Sequence, residues 1–221
     1  MFRKILIVED HESANFSVQK TLEEYPASVT DFSYYCDHAL DKIETAFQQE
    51  EPYELLITDL SFEEDKNTQR IKSGFELITL AKDIDPNLAV IVFSAEKRAG
   101  IIDSLFKDYE INAYIHKGRS DIKELKQAIH TVYNGKKYVS EDSQQSLKEI
   151  NSFEFSSFDI KIISLLAEGI LQKNIPVYLQ QENISPSSLS SVEKRLNTLK
   201  DLLQVNNNEQ LVAFCKDLGI I

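Results

Sequence analysis

The chain has 221 residues, 36 acidic against 24 basic side chains, and a formal net charge of −12. Roughly 100–200 residues per domain allows one large or two small domains. An apolar content of 42% is enough to build real cores, which excludes a disordered or fibrous chain. No apolar run approaches the roughly 18 residues of a membrane span, and the run Ile5 to Val8 is too short for a secretory signal. Cys36 and Cys215 fit no metal or redox spacing and read as ordinary thiols in a reducing cytoplasm.

Apolar runs recur along the first two-thirds: Ile5-Leu-Ile-Val8, Leu55-Leu-Ile57, Leu88-Ala-Val-Ile-Val-Phe93 and Ala113-Tyr-Ile115. Continuous apolar character predicts strands buried on both faces, as in a parallel sheet. Val29-Thr-Asp-Phe-Ser-Tyr34 alternates instead, which suits an edge strand. Helical stripes fill the intervals, among them Ala14, Val18, Leu22 and Tyr25, and Ile122, Leu125, Ile129 and Val132. The expectation is an α/β domain over residues 1–135, a doubly wound, flavodoxin-like, five-stranded parallel sheet. Asn134-Gly-Lys-Lys-Tyr-Val-Ser140 has turn and charge character and predicts the exit to a linker over 136–154, with no strand after it.

Residues 155–221 read as a small all-α domain. Phe158, Ile162, Leu165 and Leu166 form a stripe that closes at Gly169, a C-cap signal. A short helix follows from Lys173 to Gln180. Ser185-Pro186 then reads as an N-cap with proline in the first turn, and Leu189, Val192, Leu196, Leu199 and Leu203 supply the inward face of the next helix. A last helix covers Glu209 to Leu218, and the whole contains a helix-turn-helix pattern. Charge divides unevenly: residues 1–135 carry 15 basic and 25 acidic side chains, residues 151–221 carry 6 and 8. The first domain therefore repels nucleic acid and attracts cations, and the second is nearly neutral.

In a parallel sheet, functional groups gather at the carboxyl ends of strands. Glu9 and Asp10 fall there after the first strand, Asp59 after the third, Ser94 after the fourth and Lys117 just after the fifth. Three close carboxylates repel unless a divalent cation joins them, and hard oxygen donors with open positions favour Mg²⁺. Lys117 adds a compact positive charge for a phosphoryl group, and Ser94 a hydroxyl donor. The chemistry that fits is phosphoryl transfer to Asp59 as nucleophile, giving an acyl phosphate.

The order Glu9-Asp10, Asp59, Ser94-Ala95, Tyr114 and Lys117 resembles the receiver domain of two-component response regulators. The resemblance implies Glu9, Asp10, Asp59 and the Ser61 backbone carbonyl as the Mg²⁺ shell, Asp59 as phosphoacceptor, and Ser94 and Tyr114 as switch residues. It also implies a sensor histidine kinase or small phosphodonor as phosphate source, with self-catalysed hydrolysis and no other enzymatic activity. Phe155 to Gly169, and Ile184-Ser-Pro186 before the following helix, resemble the LuxR/NarL helix-turn-helix effector. Asp59-Leu-Ser61 and Asn134-Gly-Lys-Lys-Tyr138 look nearest to its Rcs-type branch. The chain departs from the family after the phosphoacceptor, where Ser61-Phe-Glu-Glu-Asp65 replaces the frequent Met-Pro and Gly74 comes unusually late.

The resemblance implies a dimeric, DNA-binding transcription regulator gated by Asp59. With the leucines packed inward, Ser190, Ser191, Lys194, Arg195, Asn197 and Thr198 are left to face DNA, Lys194 and Arg195 for phosphate or guanine and Asn197 for adenine. The same positions also suit plain solvated helix surface, and few basic residues imply weak non-specific binding. An adaptor whose helical domain docks a protein is the alternative. A hydrolase of the haloacid-dehalogenase type is disfavoured, because its second Asp, two residues after the nucleophile, is here Ser61.

Overall fold

A computed structural model describes residues 1–25, 29–63, 69–144, 147, 155–203, 205–217 and 219–221. The chain divides into two compact units, residues 1–97 with 102–146, and residues 147–221 with 98–101.

Along residues 1–146, strands β1 (Lys4–Val8), β2 (Val29–Ser33), β3 (Leu55–Thr58), β4 (Ala89–Ser94), β5 (Ala113–His116) and β6 (Tyr138–Val139) alternate with helices α1 (Glu12–Leu22), α2 (Cys36–Gln48), α3 (Gly74–Ile84), α4 (Ala99–Lys107) and α5 (Asp121–Tyr133). The sheet order is β2-β1-β3-β4-β5-β6, and every neighbouring pair is parallel. The apolar runs behave as their continuity demands. Ile5 and Ile7 join one core with Leu55, Ile57, Ile91 and Ile115, while the intervening Leu6, Leu56, Val90 and Val92 are equally buried. Such double burial requires helices on both faces of the sheet. The alternating segment forms the edge strand β2, where Val29 and Phe32 stay exposed.

The sheet has six strands, against five expected from the sequence. Tyr138 and Val139 pair with Ala113 and Tyr114, and the Ser140 hydroxyl accepts the His116 amide at 3.1 Å. This carries the first unit past residue 135, to Ser146. Two half-buried residues behind Lys136 and Lys137 carry too little apolar signal to mark a strand.

The second unit contains α6 (Ser157–Ala167), a 3₁₀ turn (Gln172–Asn174), α7 (Ile175–Gln181), α8 (Leu189–Leu202) and α9 (Asn208–Asp217). Its core gathers Ile162, Leu165, Ile175, Leu179, Val192, Leu196, Leu199 and Leu211. Gly169 takes φ +85° where α6 ends, the left-handed conformation that favours glycine at a C-cap. The N-cap of α8 is Ser188, whose hydroxyl accepts the Ser191 amide at 3.2 Å, not Ser185 as the Ser-Pro pair suggested. The first-turn proline of this unit is Pro176, in α7. Leu189 is correspondingly displaced from the core and 38% exposed.

Candidate functional site

Where the strand order turns about β1, a crevice opens between the carboxyl ends of β1 and β3, the place where open α/β sheets bind ligands. Glu9 and Asp10 leave β1 there, Asp59 leaves β3, Ser94 closes β4 and Lys117 follows β5. The structure brings these expected side chains together. Lys117 Nζ lies 2.6 Å from Asp59 Oδ2 and 2.7 Å from Glu9 Oε2. Its backbone amide donates to the Ser94 carbonyl at 2.8 Å. The other Asp59 oxygen, Oδ1, accepts the Leu60 amide at 2.6 Å. Asp59, Ser61, Ser94 and Lys117 line one open cleft of about 570 Å³.

The charges do not balance. One lysine serves two buried carboxylates, Glu9 and Asp59, with Asp10 alongside. Burial pushes the Glu9 carboxyl above its ordinary value even though Lys117 opposes the shift. Burial pulls the Lys117 ammonium down, yet its hydrogen bonds to Asp59 and Glu9 hold it above its ordinary value. Excess buried negative charge of this kind is relieved by a cation. Glu9, Asp10 and His11 offer ligand atoms that all lie within 4.8 Å of one another. These donors fit a hard divalent ion at Glu9 and Asp10, whereas the Asp59 carboxylate is engaged by Lys117.

Two features near the acidic pair escaped the sequence reading. His11 Nδ1 sits 2.9 Å from Asp10 Oδ1, and that hydrogen bond raises the His11 pKa. The Glu63 backbone amide donates to Asp10 Oδ2 at 2.6 Å, so the unusual loop touches the acidic pair directly. Its two ends are joined by an antiparallel bridge between Ser61 and Ser73. Asp37 accepts the Arg70 and Ile71 amides at 2.8 and 2.9 Å. Gly74, which follows the bridge, lies beside the Asp59 segment. Its amide donates to the Leu60 carbonyl at 3.0 Å, and a Cβ there would lie 2.0 Å from the Asp59 carbonyl oxygen. Only glycine permits that approach. The late Gly74 reflects an insertion, not a lost contact.

Ser94 is 2% exposed at the cleft wall. Tyr114 is fully buried, and burial drives its phenol well above the usual range. Its hydroxyl donates to the Glu96 carbonyl and lies 3.4 Å from the Ser94 carbonyl. Tyr114 thus ties the segment after β4 to β5.

In the helical unit the six expected contact residues separate. Ser190, Lys194 and Asn197 are exposed, and Ser191 and Thr198 are half-buried. Arg195 is engaged within the unit: Nε and Nη2 each donate to Asp159 at 2.6 Å. Asp159 is completely buried and also accepts the Ser156 amide and hydroxyl, closing a capping box on α6. Arg195 is thereby corrected from an open contact position to a structural partner. Helical periodicity placed it outward, but a long side chain can fold back onto a buried acid.

No family model matches the sequence, and no curated protein matches it. Solved structures do resemble it. A structure of two RcsB dimers bound to two parallel DNAs shares 23% identity over 98% of both chains, with a TM-score of 0.67. RcsB from Salmonella enterica serovar Typhimurium, bound to promoter rprA with the phosphomimetic BeF3−, shares 22% over 98% of this chain and 99% of that one, with a TM-score of 0.65. The isolated REC domain of the Salmonella protein, also with BeF3−, shares 25% over 66% of this chain and 98% of that one, with a TM-score of 0.53. The chain has the two-domain fold of these response regulators.

Proposed function

We propose that the chain is a response regulator in which phosphorylation of Asp59 gates DNA binding by the helical unit and so regulates transcription. The observation that carries this reading is the Asp59 carboxylate, buried yet facing an open cleft, with Lys117 on one oxygen and a backbone amide on the other. Its likeness to RcsB structures solved with promoter DNA and BeF3− supports the same function.

An Asp59 oxygen attacks phosphorus in line, its O–P bond forming as the donor bond to the kinase histidine or small phosphodonor breaks. Lys117 shifts from the carboxylate to the phosphoryl oxygens and neutralises charge there. Mg²⁺, held by Glu9, Asp10 and Asp59 with the Ser61 carbonyl, would supply further positive charge for those oxygens. Ser94 donates its hydroxyl to the new phosphate and draws its segment inward. That movement strains the Tyr114 bond to Glu96, linking the site to the β4–β5 face. Water later attacks phosphorus and restores the carboxylate, so the chain turns over its own phosphate and no external substrate.

The DNA-facing residues are Lys194 and Asn197 on α8, flanked by Ser190, Ser191 and Thr198, with dimerisation on paired half-sites adding to their few contacts. Among the described residues no helix is long and apolar enough to cross a membrane, and Cys36 and Cys215 are free thiols, which suits a cytoplasmic regulator. A second reading, an adaptor whose helical unit docks a protein, is favoured by the commitment of Arg195 to Asp159 and by exposed Leu171, Val177 and Tyr178.

The two readings separate on genomic DNA fragments at low salt, with and without Mg²⁺ plus beryllofluoride, using Asp59→Asn as control. Tighter, selective binding with the mimic, lost in the mutant, establishes the regulator. Absence of DNA binding while the mimic still changes oligomer size establishes the adaptor.

A further inference from the structure

Strand β6 is only two residues long, too short to be held at a sheet edge by its ladder alone. Ser140, the residue after it, supplies the missing hold and is 1% exposed. Its amide donates to the Tyr114 carbonyl at 2.9 Å, and its hydroxyl accepts the His116 amide at 3.1 Å. The same hydroxyl donates to the buried Ser143 hydroxyl at 3.1 Å. The Ser143 and Gln144 amides both close on the Ser140 carbonyl at 3.0 Å, which starts a helical turn over residues 141–144. Every polar group of Ser140 is thus used between β5 and the chain that leaves toward the helical unit.

The two bonds to β5 bracket Ile115, with Tyr114 on one side, His116 on the other and Lys117 next in the chain. Tyr114 carries the hydroxyl bond to the Glu96 carbonyl, and Lys117 Nζ rests on Asp59. Phosphorylation of Asp59 would rearrange both. Hydrogen bonds weaken steeply when misaligned, so a pair that grips three residues of a strand end registers a small shift of that end. The turn is also held against like charge. Glu124, buried on α5, accepts the Glu141 amide at 3.2 Å. Burial chiefly, with the charges of Glu141 and Asp142, holds its carboxyl above the ordinary value against that amide. His116 Nδ1 is buried without a hydrogen-bond partner among the described residues, 3.9 Å from the exposed Asp142 carboxylate. A few bonds therefore restrain a turn that its own acids push outward.

We propose that Ser140 is a latch that phosphorylation opens. It is closed while Lys117 rests on Asp59, and it releases residues 141–144 when a phosphoryl group draws Lys117 and Ser94 inward. The proposal rests on the phosphorylation reading and adds the point where the signal leaves the sheet. Ser140 touches no reacting atom and is a positioning residue. By linkage, a latch that phosphorylation opens must resist phosphorylation while it is closed.

The test is amide hydrogen exchange of the full chain by NMR, with and without Mg²⁺ plus beryllofluoride, whose binding is followed by fluorine NMR. With the mimic bound, exchange at His116, Ser140, Ser143 and Gln144 should quicken by about fivefold or more. Exchange at Tyr138, whose amide is bonded to the Asn112 carbonyl at the far end of β6, should not change. Ser140→Ala should quicken exchange at Ser143 and Gln144 without the mimic. It should also tighten beryllofluoride binding about fivefold, a gain that a merely structural serine would not give. Ser143→Ala, which spares both bonds to β5, should do the same to a smaller degree. Bound beryllofluoride with these amides unchanged or slowed overturns the proposal alone, and this wild-type result decides even where Ser140→Ala fails to fold. Unchanged or weakened affinity in a folded Ser140→Ala chain overturns it too. Absence of any bound beryllofluoride in the wild-type chain overturns the phosphorylation reading and the latch with it.

Discussion

Each unit of this chain buries an aspartate against a cation, and the two arrangements have opposite characters. Asp159 is sealed: Arg195 grips it with two bonds of 2.6 Å while Ser156 supplies two further donors. Its acceptor sites are filled, so nothing is left to react. Asp59 shares a single lysine with Glu9 at the wall of an open cleft. The second arrangement leaves negative charge in excess and a carboxylate within reach of a phosphoryl group. A buried acid with all of its partners holds a fold together, and one with too few of them is available for chemistry.

The largest way to break the contrast is Asp159→Ala. It removes a capping box and leaves Arg195 without its partner. With the arginine side chain 36% exposed, the loss should be about 3 kcal/mol of helical-unit stability, read from urea unfolding by circular dichroism. The receiver unit should be untouched by the change.

Gly74→Ala is the corresponding lesion in the first unit. A methyl group 2.0 Å from the Asp59 carbonyl must displace the Asp59–Leu60 segment, at about 2 kcal/mol. Phosphoryl uptake should fall with it. A variant that phosphorylates normally would mean that the insertion yields more freely than the Ser61–Ser73 bridge suggests.

The two acids should also respond to pH in opposite senses. Burial pushes the Asp159 carboxyl up, but the hydrogen bonds from Arg195 and Ser156 prevail and hold it below its ordinary 3.8. Its contribution is therefore complete above that value and is lost as pH falls through the lower folded value. Glu9 is held above its ordinary 4.5, chiefly by burial. Its contribution is complete below 4.5 and is lost as pH rises through the raised value. Glu9→Gln should therefore stabilise the metal-free receiver unit at pH 7 and have little effect at pH 4. Amide NMR signals followed in urea, unit by unit, check both signs.

The smallest expected effect is at the residues of α8 proposed to face DNA. Lys194→Ala should weaken binding evenly across sequences and lower the salt slope by about one. Arg195→Ala should instead act first on stability.

Much of this contrast was legible in the sequence, and the reasons are physical. Continuous apolar runs specify doubly buried strands, and the strand ends then fix where Glu9, Asp10, Asp59, Ser94 and Lys117 meet. Strand β6 was not legible, because two half-buried residues beside Lys136 and Lys137 leave no pattern. The place of Gly74 was not legible either, since its late position looks like displacement until the Ser61–Ser73 bridge is seen. Ser156 and Asp159 have the spacing of a capping box, a signal present in the sequence and passed over. Arg195 had no such signal, because its partner lies 36 residues away.

The most direct test of the central claim is phosphoryl uptake at Asp59. The purified full chain would be incubated with Mg²⁺ and a small phosphodonor such as phosphoramidate, then followed by intact mass. The account predicts the gain of a single phosphoryl group that hydroxylamine removes, with none in Asp59→Asn and a strongly slowed gain in Lys117→Met. No uptake by the wild-type chain, or uptake that persists in Asp59→Asn, would contradict it.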